Sequence, residues 1–87
     1  MASYAVELRR SAIKELDALA KADLSRVISR IQALGANPRP PGAEKLTGAE
    51  QYRIRQGVYR VLYEVDDARR TITVVKVGHR REVYRNR

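Results

Sequence analysis

Residues Tyr4-Ala5-Val6-Glu7-Leu8 alternate apolar with other side chains at a period of two, the pattern of a short strand ending at Arg9-Arg10. From Ser11, which can cap a helix, the period lengthens. Ile13, Leu16, Leu19 and Ala20 recur at helical spacing, and after Lys21 the set Leu24, Val27, Ile28, Ile31 and Leu34 does so more strongly. This predicts two consecutive helices, each with one apolar stripe. Gly35 and then Asn37-Pro38-Arg39-Pro40-Pro41-Gly42 end the second helix, because proline cannot continue it and biases the preceding residue towards extended backbone. Residues 36–50 are expected to form a connecting loop.

After the loop the period returns to two. Tyr52 and Ile54 alternate with Arg53 and Arg55, Gln56-Gly57 reads as a tight turn, and Tyr59, Val61, Tyr63 and Val65 alternate with Arg60, Leu62 and Glu64. Asp66-Asp67-Ala68-Arg69-Arg70 reads as the next turn, and the β-branched run from Thr71 to Val77 as the last long strand. The order β-α-α-β-β-β defines an α+β domain. Two N-terminal helices pack on one face of a small antiparallel sheet and leave the other face to polar side chains. With 87 residues, residues 1–87 form one domain with a modest core, and no repeat or low-complexity segment interrupts it.

Charge changes this picture. The net charge is +8, and it is lopsided: residues 1–51 carry +2, whereas residues 52–87, with ten basic against four acidic side chains, carry +6. A sheet with that field attracts polyanions, and counterion release makes the attraction salt-dependent. The expected partners are nucleic acid, an anionic assembly such as the ribosome, or an acidic protein. There is no cysteine and a single histidine, so disulfides, thiolate chemistry and a dedicated zinc site are not expected. The N-terminus shows no signal-peptide core and no run spans a bilayer, so the chain reads as cytoplasmic and complete, with no membrane partner and no small-molecule cofactor.

Which chemistry suits such a surface follows from what RNA cleavage without a metal requires. The 2′-hydroxyl is the nucleophile, so a site must take its proton, stabilise charge on the phosphoryl oxygens and offset the departing 5′-oxygen. Arginine suits the second task, because its planar fork binds phosphate in a bidentate manner and stays charged. Arg53 and Arg55, at i and i+2, project from one side of a strand, and Arg60 lies across the hairpin on its partner. Three guanidinium groups are expected to converge on one phosphate.

Four stretches carry a family likeness: Lys45-Leu46-Thr47-Gly48, Tyr52-Arg53-Ile54-Arg55, Tyr59-Arg60-Val61-Leu62-Tyr63, and Val77-Gly78-His79-Arg80 with Glu82-Val83-Tyr84. In this order and spacing the chain resembles the RelE/ParE superfamily of bacterial toxins, closer to the RelE branch. The resemblance implies the RelE-like fold and the toxin of a type II toxin–antitoxin system. It implies an endonuclease that cleaves messenger RNA in the ribosomal A site, held in check by a cognate antitoxin. It puts Arg60 and Arg80 on the family's two functional arginines and Tyr84 on its C-terminal tyrosine. Arg53 and Arg55 fall where the best-known member has lysine. Arginine is a poor proton acceptor, so Arg55 is cast as a positioning and charge-stabilising group, Arg80 beside the leaving oxygen and Tyr84 as the base candidate. The resemblance also allows another function, in which a ParE-like toxin inhibits DNA gyrase and cuts nothing.

His79, the only side chain that ordinarily titrates near neutrality, is the second base candidate; its plainer reading is a polar residue at a strand end. Lys45, His79, Arg81 and Arg85 are expected to contact RNA, the plainer reading of Lys45 being a solvated loop residue. Tyr52, Tyr59 and Tyr63 read as packing residues, and Asp66 and Asp67 as turn formers. An acidic, partly helical antitoxin segment is expected over the arginine face or along a sheet edge.

Overall fold

A computed structural model describes residues 3–46 and 50–79 of the chain. The elements are β1 (Ala5–Leu8), α1 (Arg10–Asp17), α2 (Lys21–Ala33), β2 (Glu44–Lys45), β3 (Gln51–Gln56), β4 (Tyr59–Asp66) and β5 (Thr71–His79). They form one five-stranded sheet in the order β1-β5-β4-β3-β2. The α+β architecture with two leading helices is as expected, with two additions. The proline-rich connection holds a two-residue strand, β2, that pairs with β3, and the sheet is mixed because β1 runs parallel to β5. Both follow from the chain path: after β1 the two helices carry the chain across the sheet to its far edge, and three antiparallel steps bring β5 back alongside β1.

The helices begin without side-chain caps. The N-cap of α1 is Arg9 and not Ser11, because the Arg9 N–H still donates to the Val74 carbonyl at 3.0 Å, and the helix follows at once, Ile13 N–H bonding back to the Arg9 carbonyl at 3.0 Å. Helix α1 lies on β5 and α2 on β3. Ala12 and Leu16, one turn apart, are the buried residues of α1, so Ile13, assigned to the stripe by spacing, is 44 % exposed. From α2 and its end come Val27, Ile31 and Leu34, and the sheet contributes Tyr52, Ile54, Val61, Tyr63, Val65, Ile72, Val74 and Val77. Tyr63 is fully enclosed, yet its hydroxyl donates to the Pro38 carbonyl at 2.6 Å, so the proline-rich loop satisfies this polar handle of the core. Burial pushes the Tyr63 phenol up to about 12.

Two local features set which residues face where. The β3–β4 turn is Gly57-Val58, one residue later than expected, since Gln56 already pairs with Tyr59. Gly57 has φ +62°, the left-handed value that a two-residue hairpin with glycine first requires. In β5 the register slips: Leu62 faces Lys76 but Tyr63 faces Val74, so Val75 is an extra residue, a β-bulge. Past the bulge the alternation changes phase. Val77 and His79 join Val61 and Tyr59 on the helix-bearing face, and Gly78 lies across from Arg60 on the open one.

Strand β1 covers β5 only from Thr71 to Val74, and beyond that point the edge of β5 is met by a helix side chain. Glu15 of α1 accepts the Val77 N–H at 2.7 Å and the Lys76 ammonium at 2.9 Å. A buried N–H left without an acceptor costs about 1–3 kcal/mol. Glu15→Ala is therefore expected to lose about that much in denaturant unfolding, with faster amide exchange at Val77, and Glu15→Gln, which keeps an acceptor, to lose less.

Candidate nucleic-acid interface

Strand alternation places Arg53 and Arg55 on the open face of β3, and the β3–β4 register sets Arg55 directly opposite Arg60. Directly opposed residues of an antiparallel pair lie about 5 Å apart at Cα, and i, i+2 neighbours about 7 Å. Three guanidinium-bearing residues thus occupy adjacent positions of one sheet face. Like charges placed directly across a ladder destabilise it. Arg60 is buried, 7 % exposed, while Arg55 is open to solvent. A guanidinium screened from bulk water acts more strongly on a nearby anion than one in solvent. Gly78, opposite Arg60 on β5, presents no side chain that would occupy the same face.

A carboxylate that sequence reasoning missed completes the cluster. Glu44 of β2 pairs in register with Arg53 and accepts from its Nε at 3.0 Å and from a terminal nitrogen of the same fork. Arg53 holds the Glu44 carboxyl below the usual carboxylate range, first by hydrogen bonding and then by charge, and the fields of Arg55 and Arg60 add to this. The strand registers put Glu44 beside Arg53, and Arg53 two residues from the Arg55–Arg60 pair, on one face of the sheet. No motif signals Glu44; its role depends on β2 pairing with β3, which a two-residue strand in a loop does not announce.

The remaining candidates separate. Lys45 is next to Glu44 but on the other side of β2, opposite Tyr52, and its ammonium holds Glu50 at 3.1 Å. His79 faces Tyr59, its ring edge-on to the tyrosine ring with centroids 6.2 Å apart, on the face opposite Arg60. The structure therefore brings Arg53, Arg55 and Arg60 together but not Lys45 or His79. Arg80, Arg81, Tyr84 and Arg85 lie outside the described residues, as does part of the Lys45-Leu46-Thr47-Gly48 stretch. Tyr52 and Tyr63 stack at 5.7 Å, and Asp66 accepts the Arg69 N–H at 3.1 Å as a turn former.

Asp67 does more than form a turn. Arg39, from the proline-rich loop, grips Asp67 with bonds of 2.8 and 3.3 Å, donates its Nε to the Tyr52 hydroxyl at 2.8 Å and reaches Glu50 at 3.1 Å. Tyr4 donates to the same Asp67 at 2.6 Å, which raises its phenol. This clasp ties the N-terminal segment, the loop before β2 and the β4–β5 turn to one guanidinium, and so fixes where β2 can lie. Among the described residues no group of three His, Cys, Asp or Glu side chains could hold a metal ion, and no helix is long and apolar enough to cross a membrane.

A five-stranded mixed sheet backed by two leading helices, with an arginine cluster on its open face, defines a small toxin of the RelE-like α+β class, as its relatives show. Residues 6–84 match the family described as the ParE toxin of the type II toxin–antitoxin system parDE. The RelE1 protein of Methanocaldococcus jannaschii is 31 % identical over 87 residues, covering 95 % of this chain and 97 % of that protein. Among solved structures, the toxin–antitoxin complex RelBE2 of Mycobacterium tuberculosis is similar with a TM-score of 0.81 and 28 % identity, covering 91 % of this chain and 93 % of that one. The RelE–RelB complex of Pyrococcus horikoshii gives a TM-score of 0.78 and 30 % identity, covering 90 % and 96 %. The chain belongs to the ParE toxin family of type II toxin–antitoxin systems, within the RelE/ParE superfamily.

Glu44, Glu50 and Asp67 are all held below the ordinary carboxylate range by their cationic partners. Each binds a proton less readily folded than unfolded. The stability they add is therefore complete above their ordinary values, near pH 4, and is lost as pH falls through their lower folded values. Because all three are exposed the effect is modest. The melting temperature is expected to fall on acidification below about pH 4, and to fall less in Asp67→Asn, which has already lost part of that contribution at neutral pH.

Proposed function

We propose that this toxin is a ribosome-dependent endoribonuclease that cleaves messenger RNA in the A site through attack of the 2′-hydroxyl, and so arrests translation. The observation that carries this reading is the opposed Arg55–Arg60 pair with Arg53 beside it. Three guanidinium groups brought together on one sheet face attract anions, and a phosphate is an anion that their planar forks fit. In this reading Arg55 and Arg60 stabilise charge on the scissile phosphoryl group, Arg53 positions the strand, and Arg80 stands by the leaving oxygen. Tyr84 takes the proton if neighbouring cations depress its pKa. His79, turned to the helix side next to Tyr59, is the weaker base candidate. Lys45, Arg81 and Arg85 make outer contacts with RNA. A site of fixed cations without a tuned base depends on held geometry, which the ribosome supplies by presenting the codon.

The partners that follow are the ribosome with its messenger and a cognate antitoxin. Relatives in solved structures bear RelB antitoxins, and an acidic segment of such a partner would neutralise the arginine face. Both partners place the toxin in the cytoplasm. One finding favours a second reading: the matching family model is that of ParE, and a ParE-like toxin would bind DNA gyrase and cleave no RNA.

Purified protein added to a reconstituted translation system, with cuts mapped by primer extension, distinguishes the two. A-site cuts that require ribosomes are expected. Loss of one preorganised charge stabiliser lowers the rate on the order of 10²–10³-fold, the loss expected for Arg60→Ala, and loss of a general base lowers it about 10²–10⁴-fold, the loss expected for Tyr84→Phe. Intact messenger alongside gyrase-dependent DNA breakage would establish the second reading instead.

A further inference from the structure

The cation cluster contains one feature that phosphate binding does not call for. Glu44 sits in the Arg53 fork, held at two points, on a strand of two residues at the sheet's edge. A carboxylate and a phosphate compete for the same guanidinium geometry. Arg53 and Arg55 are about 7 Å apart along β3, a spacing of the order of that between successive phosphates of an extended single strand. We propose that Arg53 forms a second phosphate subsite, for the nucleotide next to the one cut, and that Glu44 occupies this subsite in the free protein as a guard that the incoming RNA backbone must displace.

Three observations support the guard. Glu44 and its partner are unequally exposed, with the carboxylate side chain 50 % exposed and Arg53 only 20 %, so the cation stays fixed while the anion can swing out. Strand β2 is held to β3 by only two paired residues, Glu44 and Lys45. Its placement is set from outside by the Arg39 clasp and by Lys45–Glu50, so Glu44 can leave Arg53 without the loop coming loose. The guard makes weak, nonspecific RNA a poor competitor, because any strand entering the subsite must first break a charge-assisted pair. A codon held in register can do so at little cost. The inference rests on the phosphate-binding role given above to the arginine face.

Binding of a fluorescent ten-nucleotide 2′-O-methyl RNA, which cannot be cleaved, tests it by anisotropy at fixed salt. Removing one opposing charge next to a phosphate is expected to tighten binding about threefold to tenfold, so Glu44→Gln should gain by that factor over the wild type. The gain should vanish in Glu44→Gln/Arg53→Ala. Unchanged or weaker binding by Glu44→Gln would overturn the guard, and so would a gain that persists without Arg53, which would mean that β2 had merely loosened. Arg55→Ala keeps the two readings apart. If it weakens binding while Glu44→Gln leaves it unchanged, the phosphate face stands and the guard falls. No binding by any variant removes both. Loss of cleavage in Glu44→Gln with no change in affinity would also overturn the guard, since the carboxylate would then be acting on a proton.

Discussion

The strictest constraint in this molecule is the parity of the sheet. A strand residue faces either the helices or the open side, and one extra residue reverses every assignment beyond it. Val75 is that residue in β5. With the bulge, Val77 closes the core over Val61 and Gly78 faces Arg60. Without it, Lys76 and Gly78 would point into the helices while Val77 and His79 joined the arginines. The apolar core and the basic face are thus two results of one register, and neither can be moved alone.

Much of this was readable from residue order. Helix α2 ends where glycine and proline require it, and the Tyr52–Arg55 and Tyr59–Val65 alternations name both faces of the hairpin correctly, because period two over strongly contrasting side chains leaves little choice. The three central arginines followed from the same alternation. The bulge was not readable. Thr71 to Val77 is β-branched almost throughout, so a shift of one residue costs no obvious hydrophobic match, and uninterrupted alternation would have put His79 beside Arg60 on the open face. Nor was β2 readable, since two polar residues after a proline-rich loop carry no period, and with it went Glu44. Arg39 and Asp67 stand 28 positions apart, a separation at which charge pairing leaves no trace in local pattern.

The functional face joins fixed and yielding parts. Arg60 is buried and Arg53 partly so, on two inner strands of the sheet, whereas Glu44 belongs to the shortest strand and is half exposed. A site that must bind a charged backbone and release it benefits from rigid cations with an exchangeable counter-anion, because cations that had to be gathered at each encounter would lose ordering entropy each time. The Arg39 clasp serves the same end from a distance. It holds the loop and the β4–β5 turn together, and so limits how far β2 can wander.

Glu15 has a consequence of another kind. A strand that outruns its neighbour leaves bare N–H and C=O groups, the template on which a second chain can add and from which aggregates grow. At the far end of β5 the carboxylate of a helix takes the place of the missing strand, engaging the Val77 N–H and the Lys76 side chain together. A helix cannot be extended sideways as a sheet can, so Glu15 blunts this edge of β5 at Val77.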